Sequence, residues 1–246
     1  MSDIHIRINH KTYPAVGQAH AHTVIADFDL RLATGEFICL VGPSGCGKTT
    51  LLNIVAGLDT AFAGQIQVGN AQAQPKIGCV FQNPRLLPWR TVRENIELAL
   101  SSAATPAIID TLLEVMQLTD SQHAYPERLS LGMSRRVAII RAFAIDPELL
   151  LMDEPFVSLD GKTARQVREL LLTLWQQRPH TVLFVTHDLR EAIALADRLV
   201  FLSAAPMRVI SDISVPLARS ERHDEGLLEA FRQQLLHDYP AIKQLL

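Results

Sequence analysis

The sequence predicts an α/β fold with a mainly parallel sheet, an N-terminal antiparallel β part and an inserted helical subdomain. Three observations predict it. Apolar runs of strand length at 37–41, 77–81, 149–152, 181–185 and 198–202 alternate with helical patterns, as strands of a parallel sheet do when helices connect them. The first of these runs enters a glycine-rich turn directly. Between Thr91 and Ile145 the rhythm stops, because that stretch offers helical patterns and no strand.

Taken in order, the first element to declare itself is the strand 24–32, where Phe28, Leu30 and Leu32 alternate with Asp27, Asp29 and Arg31. It is expected to pair with a strand at 4–8, leaving 10–23, with Pro14 and Gly17, as a loop. The run Phe37-Ile38-Cys39-Leu40-Val41 suits a strand buried on both faces, and a helix over 49–56 follows its turn. The insert is read as helices at 91–100, 107–117 and 132–145. After the strand 181–185, Asp188 is placed to cap a helix over 188–196. Leu227, Leu228, Phe231, Leu235 and Leu236 then recur at helical spacing, a last packing helix before Pro240.

Composition narrows the function. The 246 residues are 48% hydrophobic and 20% charged, an ordinary globular balance that excludes disorder as a general description. A net charge of -3 gives no global positive field to hold a nucleic-acid backbone, so no nucleic-acid partner is expected. Met-Ser-Asp-Ile-His at the start does not read as a signal peptide, and no uncharged apolar run approaches the roughly 18 residues of a membrane span. Cys39, Cys46 and Cys79 lack Cys-x-x-Cys spacing, which argues against a disulfide framework or a zinc site. A reduced cytosolic protein fits this usage.

Gly42-Pro43-Ser44-Gly45-Cys46-Gly47-Lys48-Thr49 fulfils G-x-x-x-x-G-K-[ST] after a buried strand and before a helix, where the chemistry needs it. The glycines let backbone N–H groups turn toward a β-phosphate, Lys48 brings positive charge to the β- and γ-oxygens, and the Thr49 hydroxyl can ligate Mg2+. The expected cofactors are ATP and Mg2+, with Thr50 included in the nucleotide-binding set. Cys46 is read as a small space-filler inside the loop. A second apolar strand ends in Asp153 and Glu154, whose side chains face opposite ways. Asp153 is placed for the magnesium shell, while Glu154 can orient and polarise the attacking water. A GTP switch or small-molecule kinase shares only the phosphate loop, and the Asn-Lys-x-Asp motif that reads guanine is absent.

With these motifs go Gln82 after the strand 77–81, Leu129-Ser130-Leu131-Gly132-Met133 opening a helix, Ser158-Leu159-Asp160, and Thr186-His187-Asp188. In this order they resemble the ATP-binding subunits of ABC transporters over nearly the whole chain. The resemblance implies a RecA-like P-loop NTPase core and one ATP-binding domain over 1–246. Within it, 1–86 and 146–221 would form the nucleotide-binding core, 87–145 the helical subdomain with the signature, and 222–246 a helical tail. It implies an ATPase in which Gln82 touches magnesium or the attacking water and reports nucleotide state to a membrane partner. His187 would reach the γ-phosphate end of the site, either stabilising the transition state or positioning Glu154 and water. Ser130 and Gly132 would close over the nucleotide bound by a second copy of the chain, so that ATP holds a dimer together. Leu131 and Met133 depart from the glycine and glutamine common in the family. If that glycine conformation required φ > 0, Leu131 would be strained. Arg135 and Arg136 are expected to be solvated or paired. Tyr13 is placed either to stack on adenine or as an ordinary surface aromatic.

The stretch 81–95, with Leu86-Leu87-Pro88-Trp89, is similar to the nitrate, sulfonate and taurine branch of importers. That branch implies uptake of a small solute through a separate integral-membrane permease at the cytoplasmic face of the bacterial inner membrane, served by an extracytoplasmic substrate-binding protein. Trp89 would meet the permease if exposed, or lie buried under the insert. The alternative is a soluble, non-transport ABC ATPase that remodels a protein or nucleic-acid assembly.

Overall fold

Residues 3–15, 20–69, 75–100, 106–243 and 245 are described by a computed structural model. In chain order they form β1 (Ile4–Tyr13), β2 (His22–Leu32), β3 (Phe37–Val41), α1 (Lys48–Val55), β4 (Ala63–Val68), β5 (Ile77–Val80), α2 (Val92–Glu97), α3 (Pro106–Val115), α4 (Leu131–Ala144), β6 (Leu149–Asp153), α5 (Gly161–Gln177), β7 (Thr181–Thr186), α6 (Leu189–Leu195), β8 (Arg198–Leu202), β9 (Val209–Ser214), α7 (Glu225–Asp238) and α8 (Pro240–Lys243). The chain divides into two units, Met1–Gln74 with Thr181–Leu246, and Pro75–His180.

In the first unit every side chain of β3 is buried, as its unbroken apolar run requires. The reason is its position: β7 pairs with it in parallel on one side and β8 on the other, and β9 runs antiparallel along β8. Helix α6 packs on β3 and β7, and α7 packs on α6. A separate antiparallel sheet has the order β2-β1-β4 and buries Ile4, Ile6 and Ile8 with Phe28, Leu30 and Leu32. In the second unit β5 and β6 pair in parallel, and α4 packs against β5, α2, α3 and α5.

Several expectations are corrected here. Residues 10–13 and 22–23 are strand rather than loop, because β1 continues to Tyr13 and pairs it with His22. The hydrophobic pattern hides this, since polar contacts close that end of the ladder. Thr12 Oγ1 lies 3.0 Å from Thr23 Oγ1, and the buried Lys11 ammonium pairs with Asp59 at 2.7 Å and donates to the Ala61 carbonyl at 2.9 Å. Gly17, placed in that loop, lies outside the described residues. The strands β4 and β9 have no counterpart in the sequence reading, because their side chains are only half buried in alternation and include Gln65, Gln67, Ser211 and Asp212. Helix α2 is shorter than 91–100 and starts on a Thr91–Glu94 capping box.

Hydrogen bonding to Lys11 holds the Asp59 carboxyl below its ordinary pKa. Replacing Asp59 with Asn leaves a buried ammonium short of its anion, and we expect a loss of about 2 kcal/mol in denaturant unfolding at neutral pH. A carboxyl with a depressed folded pKa stabilises above its unfolded value and stops doing so as pH falls through the folded one. The gap between Asp59→Asn and the natural chain should therefore close in acid, below about pH 4, and a gap independent of pH would refute the ion pair's contribution.

Candidate functional site

In the first unit β3 delivers the chain into the turn 42–47. Gly45 and Gly47 adopt φ of 76° and 113°, conformations that glycine takes without strain. Gly47 also has no room for a side chain, since a Cβ there would stand 2.6 Å from Val24 Cγ1. Its carbonyl accepts from Leu51 N–H as α1 begins. The Lys48 side chain is buried and its ammonium donates to the carbonyls of Gly42 at 2.8 Å and Pro43 at 2.9 Å. Two of the three ammonium hydrogens thus clasp the loop, a count that among the described residues leaves one donor for an anion. Ser44 and Thr49 are exposed beside it. Burial pushes the Cys46 thiol pKa up, with Lys48's charge opposing, so the thiol stays neutral and fills space. A loop that needs glycine at these positions and presents a clasped ammonium fits the triphosphate of ATP.

The register of the parallel sheet places His187. Val41 on β3 is opposite Thr186 on β7, so Gly42 and His187 are the next residues on adjacent strands. His187 is exposed, and Asp188 behind it caps α6 by accepting from Arg190 N–H at 2.8 Å and Glu191 N–H at 3.2 Å. Tyr13 ends β1 with its hydroxyl 3.4 Å from Thr50 Oγ1, which brings two predicted nucleotide-binding residues together. Its ring is part exposed, with Lys11 Nζ 4.6 Å from the centroid.

In the second unit β6 ends at Asp153, which is buried, and Glu154 follows at φ 43°. Val80 is opposite Met152 in the parallel register, so Gln82, two residues on, leaves its strand alongside Glu154. Gln82 is exposed. The hydroxyl of Thr49, the amide of Gln82 and the carboxylate of Asp153 are hard oxygen donors of the kind Mg2+ takes. Ser130 caps α4, its hydroxyl accepting from Met133 N–H at 3.2 Å. Leu131 is the first residue of that helix and is not among the residues with positive φ, so the strain considered for it does not arise. Gly132 is buried, and a Cβ there would stand 2.5 Å from Thr163 Cγ2. Asp160, in the Ser-Leu-Asp element, caps α5 by accepting from Lys162 N–H and Thr163 N–H.

Arg135 corrects another expectation. It is buried rather than solvated, and its partners among the described residues are the backbone carbonyls of Phe81, Gln82 and Val157. Arg136 donates to the Met116 and Gln117 carbonyls. The spacing accounts for its burial, since Gly132, Arg135, Ile139 and Ala142 fall on one helical stripe and all are buried.

Residues 25–157 match the ABC transporter family model. The chain is 38% identical over 245 residues to the aliphatic sulfonates import ATP-binding protein SsuB of Bacillus subtilis, covering 98% of this chain and 96% of that protein. It is 41% identical over 230 residues to the nitrate import ATP-binding protein NrtD of Synechococcus elongatus, covering 89% and 83%. Among solved structures it is similar to the dimeric post-hydrolysis state of the ATP-binding cassette MJ0796 bound to ADP and Pi, with a TM-score of 0.74, 30% identity, and coverage of 87% of this chain and all of that one. The chain therefore belongs to the ABC transporter family, as an ATP-binding cassette that hydrolyses ATP.

Gly132→Ala is expected to lower the melting temperature, the overpacking against Thr163 costing about 1–3 kcal/mol. Thr163→Ser removes the methyl group in the way, so the double variant should melt close to Thr163→Ser alone. A melting temperature unmoved by Gly132→Ala would show that the close approach is relieved elsewhere.

Proposed function

We propose that this ABC cassette energises import of a small solute, of the sulfonate, nitrate or taurine kind, through a separate membrane permease. It would act as a dimer closed around two Mg-ATP, peripheral to the cytoplasmic face of the cell membrane, with a substrate-binding protein delivering the solute from outside. The observation that carries the reading is likeness over 98% of the chain to a sulfonate-import ATP-binding subunit. Likeness to a dimeric cassette supports the dimer. Among the described residues no helix is long and apolar enough to cross a membrane.

The residues divide the work by chemistry. Gly42 to Thr50 would hold the phosphates, with Lys48 as their fixed positive charge. Asp153, Thr49 and Gln82 would hold Mg2+, which supplies charge neutralisation at the phosphate oxygens. Glu154 would orient the attacking water and take its proton, and His187 would stand at the γ-phosphate end. Ser130 and Gly132, at the amino end of α4, would face the nucleotide of the second copy, where the helix dipole favours negative charge. Residues 1–86 and 146–221 would act as the nucleotide-binding core and 87–145 as the helical subdomain that meets the permease.

Trp89 supports that contact. It is 68% exposed on a segment that Asn95 ties together: the Asn95 amide oxygen accepts from Leu87 N–H at 2.7 Å, and its NH2 group donates to the carbonyls of Leu87, Arg90 and Thr91. A large aromatic held out by a buried asparagine is a natural interface anchor.

Glu154→Gln should bind ATP, lose about 100-fold or more in turnover, and accumulate as a closed dimer; wild-type turnover would remove Glu154 as the base. Purified from its host in mild detergent with ATP and magnesium, this variant should bring down a polytopic membrane protein in stoichiometric amount. A soluble or nucleic-acid partner without a membrane protein would instead favour a remodelling ATPase. Trp89→Ala should weaken permease association and uptake while leaving the free cassette's ATP binding in place.

A further inference from the structure

We propose that Arg135 is a positioning residue of the ATPase reaction: its guanidinium ties the backbone that carries Gln82 to the backbone that follows Glu154, and fixes both to the signature helix. One terminal nitrogen donates to the carbonyls of Phe81, at 3.3 Å, and Gln82; the other donates to the Val157 carbonyl at 3.4 Å. Val157 N–H in turn donates to the Glu154 carbonyl at 3.2 Å, so the tie reaches the residue at φ 43° through one hydrogen-bonded turn.

The cost of this arrangement is what makes it informative. Arg135 is only 3% exposed, and its partners among the described residues are all carbonyls. Its Nε is buried without a hydrogen-bond partner there. A cation buried among neutral dipoles, with one donor left over, is expensive compared with an apolar or amide side chain at the same helical position. Filling space does not require it. Spanning two loops does, because the planar fork of guanidinium donors sets a fixed separation between acceptors that a point ammonium on a flexible stem cannot set.

Its neighbour shows the contrast. Arg141, later on α4, donates to the Pro84 and Arg85 carbonyls at 2.8 and 3.1 Å, and so anchors the 81–85 segment alone. Only Arg135, of these two, also holds the chain after β6. Any shift of α4 would therefore move Gln82 and the turn at Glu154 together rather than separately. The proposal rests on the assignment of Gln82 and Glu154 to the reaction.

The test is steady-state ATPase of the full chain for Arg135→Gln and Arg135→Lys, with Gln82→Ala and Glu154→Gln beside them. We expect Arg135→Gln to lower kcat by about tenfold or more with KM for Mg-ATP within about twofold, the pattern of a loss felt in the transition state. Arg135→Lys should recover part of kcat, since an ammonium can still reach one of the two loops. Wild-type kcat in both variants would overturn the proposal. So would a KM that rises in step with the loss of kcat and of melting temperature, which is the mark of a purely structural side chain. If Arg135→Gln fails to fold, Arg135→Lys decides by the same split: lowered kcat at unchanged KM supports the tie, and unchanged kcat overturns it. Wild-type turnover in Gln82→Ala and Glu154→Gln would overturn the underlying assignment, whatever Arg135 does.

Discussion

A turn that holds phosphate through backbone N–H groups works only if the strand feeding it cannot move, and burial of β3 between two parallel neighbours meets that condition. All five of its side chains are buried, with β7 and β8 hydrogen-bonded along its two edges. The turn inherits this rigidity and adds constraints of its own. Gly47 sits where a Cβ would strike Val24, and Lys48 returns its ammonium to the carbonyls of Gly42 and Pro43. Clasping the loop with the same group that would meet phosphate means that the charge is preorganised before any ligand arrives, so binding spends little on ordering it. The same register that buries β3 sets His187 beside Gly42. One packing decision therefore sets two residues of the candidate site, distant in sequence, side by side.

In the second unit, α4 has the organising role. Its buried stripe packs on β5 and on α2, α3 and α5, and its amino end carries the Ser130 cap. The lack of a side chain at Gly132 lets Thr163, in the first turn of α5, approach within contact distance. Gly132 thus has a packing reason to be glycine that is independent of any phosphate. Leu131 has no such constraint: as the first helical residue it points its side chain outward, 42% exposed, and takes an ordinary helical backbone. The departure from glycine there is sterically free within this chain.

What could be read from the sequence follows from which forces leave periodic traces. Apolar runs and alternation located β3, β6, β7, β8 and the inner half of β2, and the glycine-lysine spacing located the phosphate turn. Helix caps at Asp188 and the tail helix α7 were equally legible, because capping and amphipathic spacing are local rules. Polar contacts between distant residues leave no such trace. Lys11 with Asp59, and Thr12 with Thr23, extend the first sheet across residues that look like loop. The burial of Arg135 leaves no trace for the same reason, since its partners are carbonyls more than twenty residues away on either side. Carbonyl acceptors belong to every residue, so a sequence cannot advertise them.

The phosphate turn and the turn after β6 differ in how they reach unusual backbone conformations, and the difference separates backbone chemistry from side-chain chemistry. In the phosphate turn the positive-φ positions, Gly45 and Gly47, are glycines, which adopt the conformation without strain, and the proposed phosphate contacts there would need only main-chain N–H groups. After β6 the positive-φ positions are Glu154 and Ser158. A non-glycine residue in that region costs of order 1–3 kcal/mol and persists only where its surroundings over-determine it. At Glu154 glycine would relieve the cost but remove the carboxylate. The buried strand ending at Asp153 on one side, and the Val157 turn held by Arg135 on the other, are the surroundings that hold the backbone at Glu154. The strained glutamate and the costly buried arginine thus explain each other: the first needs a fixed turn, and the second supplies it.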